Sequence, residues 1–129
     1  MKKYFILGLL FGVAFTTAAF VLSSEVATSM DPVKISPQYY KVLLENDQVR
    51  VLEYRLKPGE KEAMHSHPAG IVYIFSDGRM KTMTPDGESH EGERKAGEVI
   101  WRDPVTHTAE NTGSTEIHAL AIEMKKQCN

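Results

Sequence analysis

Past residue 40, apolar and polar positions alternate in short runs, and no 11-residue window sustains apolar residues at i, i+3, i+4 and i+7. The run 48–57 shows the two-residue period most cleanly. Leu52, Tyr54 and Leu56 fall on one face, Glu53 and Arg55 on the other. Pro58-Gly59 then supplies a turn, because proline presets φ and glycine accepts a positive φ. Further β-rich runs follow at 63–67, 71–75, 79–83, 99–101, 106–111 and 116–124, with a polar return strand through Arg94. Asp77-Gly78 and Pro85-Asp86-Gly87 read as hairpin turns, and Pro68-Ala69-Gly70 and Thr112-Gly113-Ser114 as breaks. About eight short strands in about 85 residues, without helices, predict a sandwich or barrel.

The amino end follows another pattern. Lys2 and Lys3 precede 19 uncharged residues, 4–22. A positive segment before an apolar one is the pattern of an export signal. As a helix it spans roughly 28 Å, close to one bilayer core, so its length fits an uncleaved membrane anchor as well as a cleaved signal peptide. Residues 1–23 are therefore expected to take the protein out of the cytoplasm, to the periplasm or beyond as a secreted protein. Residues 24–35 are short, polar and breaker-containing and read as a linker, which leaves 36–129 as the domain.

Composition narrows the classes. With 129 residues, 42% apolar and 25% charged, the chain is globular and holds one domain. Its net charge of −2 offers no basic surplus, which argues against nucleic acid as a partner. A single cysteine, Cys128, excludes a disulfide framework and any cysteine-based zinc finger.

Chemistry concentrates in the histidines. His65 and His67 are two apart on an expected strand, so both side chains share a face with Cα atoms about 6.6–6.8 Å apart. Two imidazoles at that spacing converge on one metal ion at roughly 2.0–2.2 Å. Around them runs Gly59-x5-His65-x-His67-x3-Ile71-x6-Gly78, and later Gly97-x6-Pro104-x2-His107-x3-Asn111. Over 59–111 this resembles the two motifs of the cupin superfamily, and flanking strands extend the likeness to 42–124. The resemblance implies an all-β fold, a double-stranded β-helix or jelly-roll barrel. It also implies a divalent metal held inside by His65, His67 and His107.

Two departures stand out. The family's glutamate ligand falls at Ile71, or at Val72 in the alternative spacing, and Val105 stands where the second motif has its internal glycine. Either three histidines hold the metal alone, as in some cupin enzymes, or the site has lost it. Three imidazoles suit iron, zinc, manganese, copper or nickel and leave positions open. The missing carboxylate favours an anionic or oxygen-rich small molecule as ligand. In the family register Ile71, Tyr73 and Phe75 face the interior, with the Tyr73 phenol near the metal and Trp101 lining the barrel. His118 shares a face with Leu120, Ile122 and Met124, as a core residue, a support for a metal ligand or a fourth ligand. His90 and Glu110 are expected in solvent. The implied function is a mononuclear metal enzyme of dioxygenase or isomerase type, against a binding or sensing module without metal. The expected partners are a small-molecule ligand and a second copy of the chain as a homodimer. A membrane enters only through an uncleaved amino end.

Overall fold

The computed structural model describes residues 30–125. The expected export segment, linker residues 24–29 and Cys128 lie outside the described residues. Among those described, one short helix, α1 (Pro32–Ile35), precedes nine strands. These are β1 (Tyr40–Glu45), β2 (Val49–Leu56), β3 (Lys61–His67), β4 (Gly70–Ile74), β5 (Gly78–Met83), β6 (Ser89–Arg94), β7 (Val99–Arg102), β8 (Val105–Asn111) and β9 (Ile117–Met124). They form two antiparallel sheets, one in the order β1-β2-β9-β4-β7 and the other β3-β8-β5-β6. Sequence neighbours repeatedly fall in different sheets, the winding of a jelly roll. The two sheets fit the sandwich or barrel that the strand pattern predicts, and the double-stranded helix is what the cupin resemblance implies.

Alternation fills the space between the sheets. Paired residues share a face, so Leu52, Tyr54 and Leu56 of β2 stand inward beside Ala121, Ala119 and Ile117 of β9. Val72 and Ile74 of β4 join Ala121 and Ala119 from the other side. Tyr54, Leu56, Ile74, Ile117 and Ala119 form the buried core at one end. Along β9 the inward positions read Ile117, Ala119, Ala121, Glu123. Large apolar gives way to small and then to charge, so the two alanines leave space inside the barrel where larger residues would close it.

Gly59 and Gly87 carry the positive φ that their turns require, 79° and 88°. Gly87 closes the β5–β6 hairpin as expected. Asp77-Gly78 does not make a hairpin: β4 pairs with β9 and β7, β5 with β6 and β8, so the chain crosses between sheets there. Asp77 instead accepts the Ala96 N–H at 2.9 Å and ties this corner to the β6–β7 turn.

Residues 30–35, expected as the end of a linker, are docked on the barrel. Asp31 caps α1 by accepting from Val33 N at 3.1 Å, with Pro32 in the first turn. Its other oxygen binds Arg50 at 3.0 Å, and the Met30 carbonyl accepts Ser66 N–H at 2.8 Å. Polar composition there serves a cap and an ion pair.

Candidate metal centre

His65 and His67 project from β3 into the barrel, and β8 pairs so that His107 lies directly across from His65. One candidate ligand nitrogen from each of the three lies within 4.8 Å of the others. His65 and His67 are buried and His107 is half-buried. The spacing-based expectation of a shared face and the motif-based choice of His107 thus meet at one point.

The protons on two of these rings are fixed by their neighbours. His65 Nδ1 lies 2.7 Å from the Ala63 carbonyl and His67 Nδ1 2.6 Å from Glu123 Oε1. Both partners only accept, so both Nδ1 atoms carry the hydrogen and both Nε2 atoms present lone pairs. Those two Nε2 atoms are 2.9 Å apart. Two lone pairs at that separation repel unless a cation lies between them. Two nitrogens bound at right angles to one ion at roughly 2.1 Å stand about 3.0 Å apart, which matches. A proton is a poor substitute, because burial pushes His65 down to about 4 and His107 down to about 3. His67 is lowered for the same reason, against the pull of Glu123.

A carboxylate stands behind each of the β3 histidines. Glu123 is 2% exposed and binds Arg50 at 2.7 Å as well as His67. Burial works against its charge, but these two hydrogen bonds hold its carboxyl below the usual range. Glu62 is also fully buried; its Oε1 sits 3.3 Å from His65 Nδ1 and its Oε2 accepts the Tyr54 hydroxyl at 3.1 Å. Burial raises Glu62 to about 7 despite Tyr40 and Tyr54. The Tyr40 hydroxyl reaches to 3.4 Å from His65 Nε2, on the metal-facing side of the ring.

The residues expected to face the metal between 71 and 75 do not do so. Ile71, Tyr73 and Phe75 face outward, Tyr73 and Phe75 being exposed, while Val72 and Ile74 line the cavity. Strand parity is not carried through the 68–70 corner, because the chain leaves one sheet there and enters the other. Gly70 restarts the inward register opposite Glu123, where a Cβ would collide with the Ile122 carbonyl oxygen. Val72 therefore holds the glutamate's place. Trp101 pairs with Ile71 on the outer face, 58% exposed at the cavity rim, with its indole N–H donated to Asp103. Its neighbours Ile100 and Arg102 turn inward instead. His118 also lies outside, bonded to Glu53 at 2.8 Å and stacked on Phe75, so it neither binds nor supports the metal ligands. His90 is exposed, as expected, whereas Glu110 is only half-buried.

Inside, a cavity of about 420 Å³ opens beside His67 and His107. Val72, Ile74, Ile100, Ala119 and Ala121 give it apolar walls, and Glu62, Arg94, Arg102 and Tyr40 add polar groups. That mixture and size are those of a small-molecule site.

No family model matches the chain. The beta-alanine degradation protein BauB of Pseudomonas aeruginosa is 30% identical over 86 residues, which cover 65% of this chain and 90% of that one. A solved cupin domain from Bordetella pertussis Tohama I matches with a TM-score of 0.62 and 29% identity, over 67% of this chain and 92% of its own. This chain belongs to the cupin superfamily. The cupin fold alone is shared with an RmlC-like protein from Methanocaldococcus jannaschii, at a TM-score of 0.54 and 18% identity over 67% and 78% of the two chains. Within the cupin pattern, the three histidines are kept and an apolar valine replaces the carboxylate.

Proposed function

We propose that this cupin is a mononuclear metal protein of dioxygenase or isomerase type. It holds one divalent transition metal on His65, His67 and His107 and takes a small anionic or oxygen-rich molecule into the adjoining cavity. The observation that carries the reading is the pair of Nε2 lone pairs facing each other at 2.9 Å, with both Nδ1 protons committed elsewhere. A metal-free binding module has only the Tyr40 hydroxyl, 3.4 Å from His65 Nε2, to ease that repulsion. A bound metal supplies a Lewis-acid or redox centre beside the ligand. The chain's own groups do the rest. Glu123 holds the His67 ring in its ligating tautomer. The Tyr40 hydroxyl stands 3.4 Å from His65 Nε2, beside the ligating nitrogen. Val72 and Ile100 make part of the cavity wall apolar. The name of the Pseudomonas relative, a protein of beta-alanine degradation, agrees with a small polar ligand.

Cobalt(II) reconstitution tests the proposal. Wild-type protein is expected to show visible d–d bands that shift when azide fills an open position, and His65→Ala to show none. Absence of bands in the wild type would refute it. We further propose that residues 1–23 export the protein. A reporter fused after residue 23 should then appear outside the cytoplasm, and retention inside would count against export.

A further inference from the structure

Arg102 ends β7 with its side chain turned into the cavity, opposite Gly70. Its guanidinium makes no hydrogen bond among the described residues, and its Nε and Nη2 are buried without an acceptor. Glu123 Oε1 is 3.8 Å from Nη2, beyond hydrogen-bond reach. That carboxylate is already engaged, by His67 at 2.6 Å and Arg50 at 2.7 Å. Arg50 therefore satisfies what Arg102 only approaches. Arg94, the other cation on the cavity wall, donates to the Glu93 carbonyl and lies on the opposite sheet.

An arginine stays charged even when buried, and a buried charge without hydrogen bonds is costly to keep. Glu123 at 3.8 Å offsets the charge in part but leaves the buried Nε and Nη2 donors without an acceptor. The protein thus holds a fork of donors, beside the candidate metal nitrogens, that lacks its acceptor. We infer that Arg102 is the anchor for a ligand carboxylate, and that the cavity takes a small monocarboxylate with a short apolar chain. A carboxylate matches the guanidinium edge with two parallel acceptors. Val72, Ile100 and Ala121 line the same cavity and suit a short apolar chain. This rests on the reading of the cavity as the ligand site, but not on a metal being bound.

Calorimetric titration of the full chain tests it, with butyrate and its neutral isostere butyramide as probes, before and after chelator treatment. Wild-type protein is expected to bind butyrate more tightly than butyramide. Arg102→Met should lose about 10- to 100-fold in butyrate affinity while butyramide is unaffected, and Arg102→Lys should recover part of it. Metal content, measured in the same samples, should not change with Arg102→Met. Equal affinities for the two probes, or unchanged butyrate binding in Arg102→Met, would overturn the inference. If no sample holds metal yet the butyrate preference persists and depends on Arg102, the proposed metal function fails and this inference stands. Should Arg102→Met fail to fold, the Arg102 Nε–H resonance of the wild type decides: butyrate must shift it and butyramide must not.

Discussion

Replacing Glu123 by glutamine keeps its shape and removes its charge. The carboxylate is 2% exposed and joins His67 at 2.6 Å to Arg50 at 2.7 Å, with Arg102 at 3.8 Å. Removing one member of a buried ion pair typically costs about 3–5 kcal/mol, because the remaining charge is left unpaired. Here Arg50 keeps Asp31 at 3.0 Å and is 15% exposed. The expected cost is therefore at the low end, about 3 kcal/mol. The glutamine oxygen can still accept from His67 Nδ1, but a neutral acceptor makes roughly half as strong a bond. Losing such a partner weakens metal binding by about 10- to 100-fold. Urea unfolding of the chelated protein reads the first quantity, and zinc competition against a chromophoric chelator reads the second. If stability falls while zinc affinity is unchanged, Glu123 is an ion pair of the core and does not orient His67. If neither changes, the buried cluster contributes nothing.

Acid should destabilise the metal-free protein. His65 and His107, pushed down to about 4 and about 3, and His67, also lowered, stay neutral when folded but protonate near 6.5 when unfolded. Their contribution is present above pH 6.5 and lost as pH falls, while Glu62, raised to about 7, acts in the opposite sense and offsets one proton. The net is at most about two protons, or about 2.7 kcal/mol per pH unit near pH 5.5, and a flat urea midpoint between pH 7 and 5 would contradict it. Val72→Glu should raise manganese affinity at least about tenfold by adding a carboxylate inside the barrel, and Ile71→Glu should not. Equal effects in a metal titration would return Ile71 to the interior. Asn111 is buried and donates at 2.8 Å to the Leu56 and Thr115 carbonyls while accepting Gly113 N–H at 3.0 Å. Asn111→Ala should cost about 2–4 kcal/mol in urea unfolding without changing metal affinity in the folded fraction.

His65 and His67 were legible in the sequence from strand parity, and His107 from the resemblance to the second cupin motif. What lay beyond one strand was not. The faces of β4 depend on how Gly70 enters the second sheet, so Ile71 and Val72 could not be told apart by counting from His67. Glu62 is hidden by a bulge: the β3–β8 register shifts between Glu62 and His65, turning inward a residue that regular alternation places outside. Arg102 and Glu123 come together only because β7 and β9 both pair with β4 at Gly70. Inward polar residues at the ends of expected strands were the available signal, and it has no meaning until the strand order is known. Asp31 looks like linker in the sequence because an N-cap and a linker share the same residue types.

The central claim is that three histidines form one metal site. Metal content by plasma mass spectrometry of the untagged full chain, never exposed to chelator, tests it most directly alongside His107→Ala. Close to one divalent transition metal per chain is expected in the wild type and almost none in a folded His107→Ala variant. A metal-free wild type, or a variant that keeps its metal, would contradict the account.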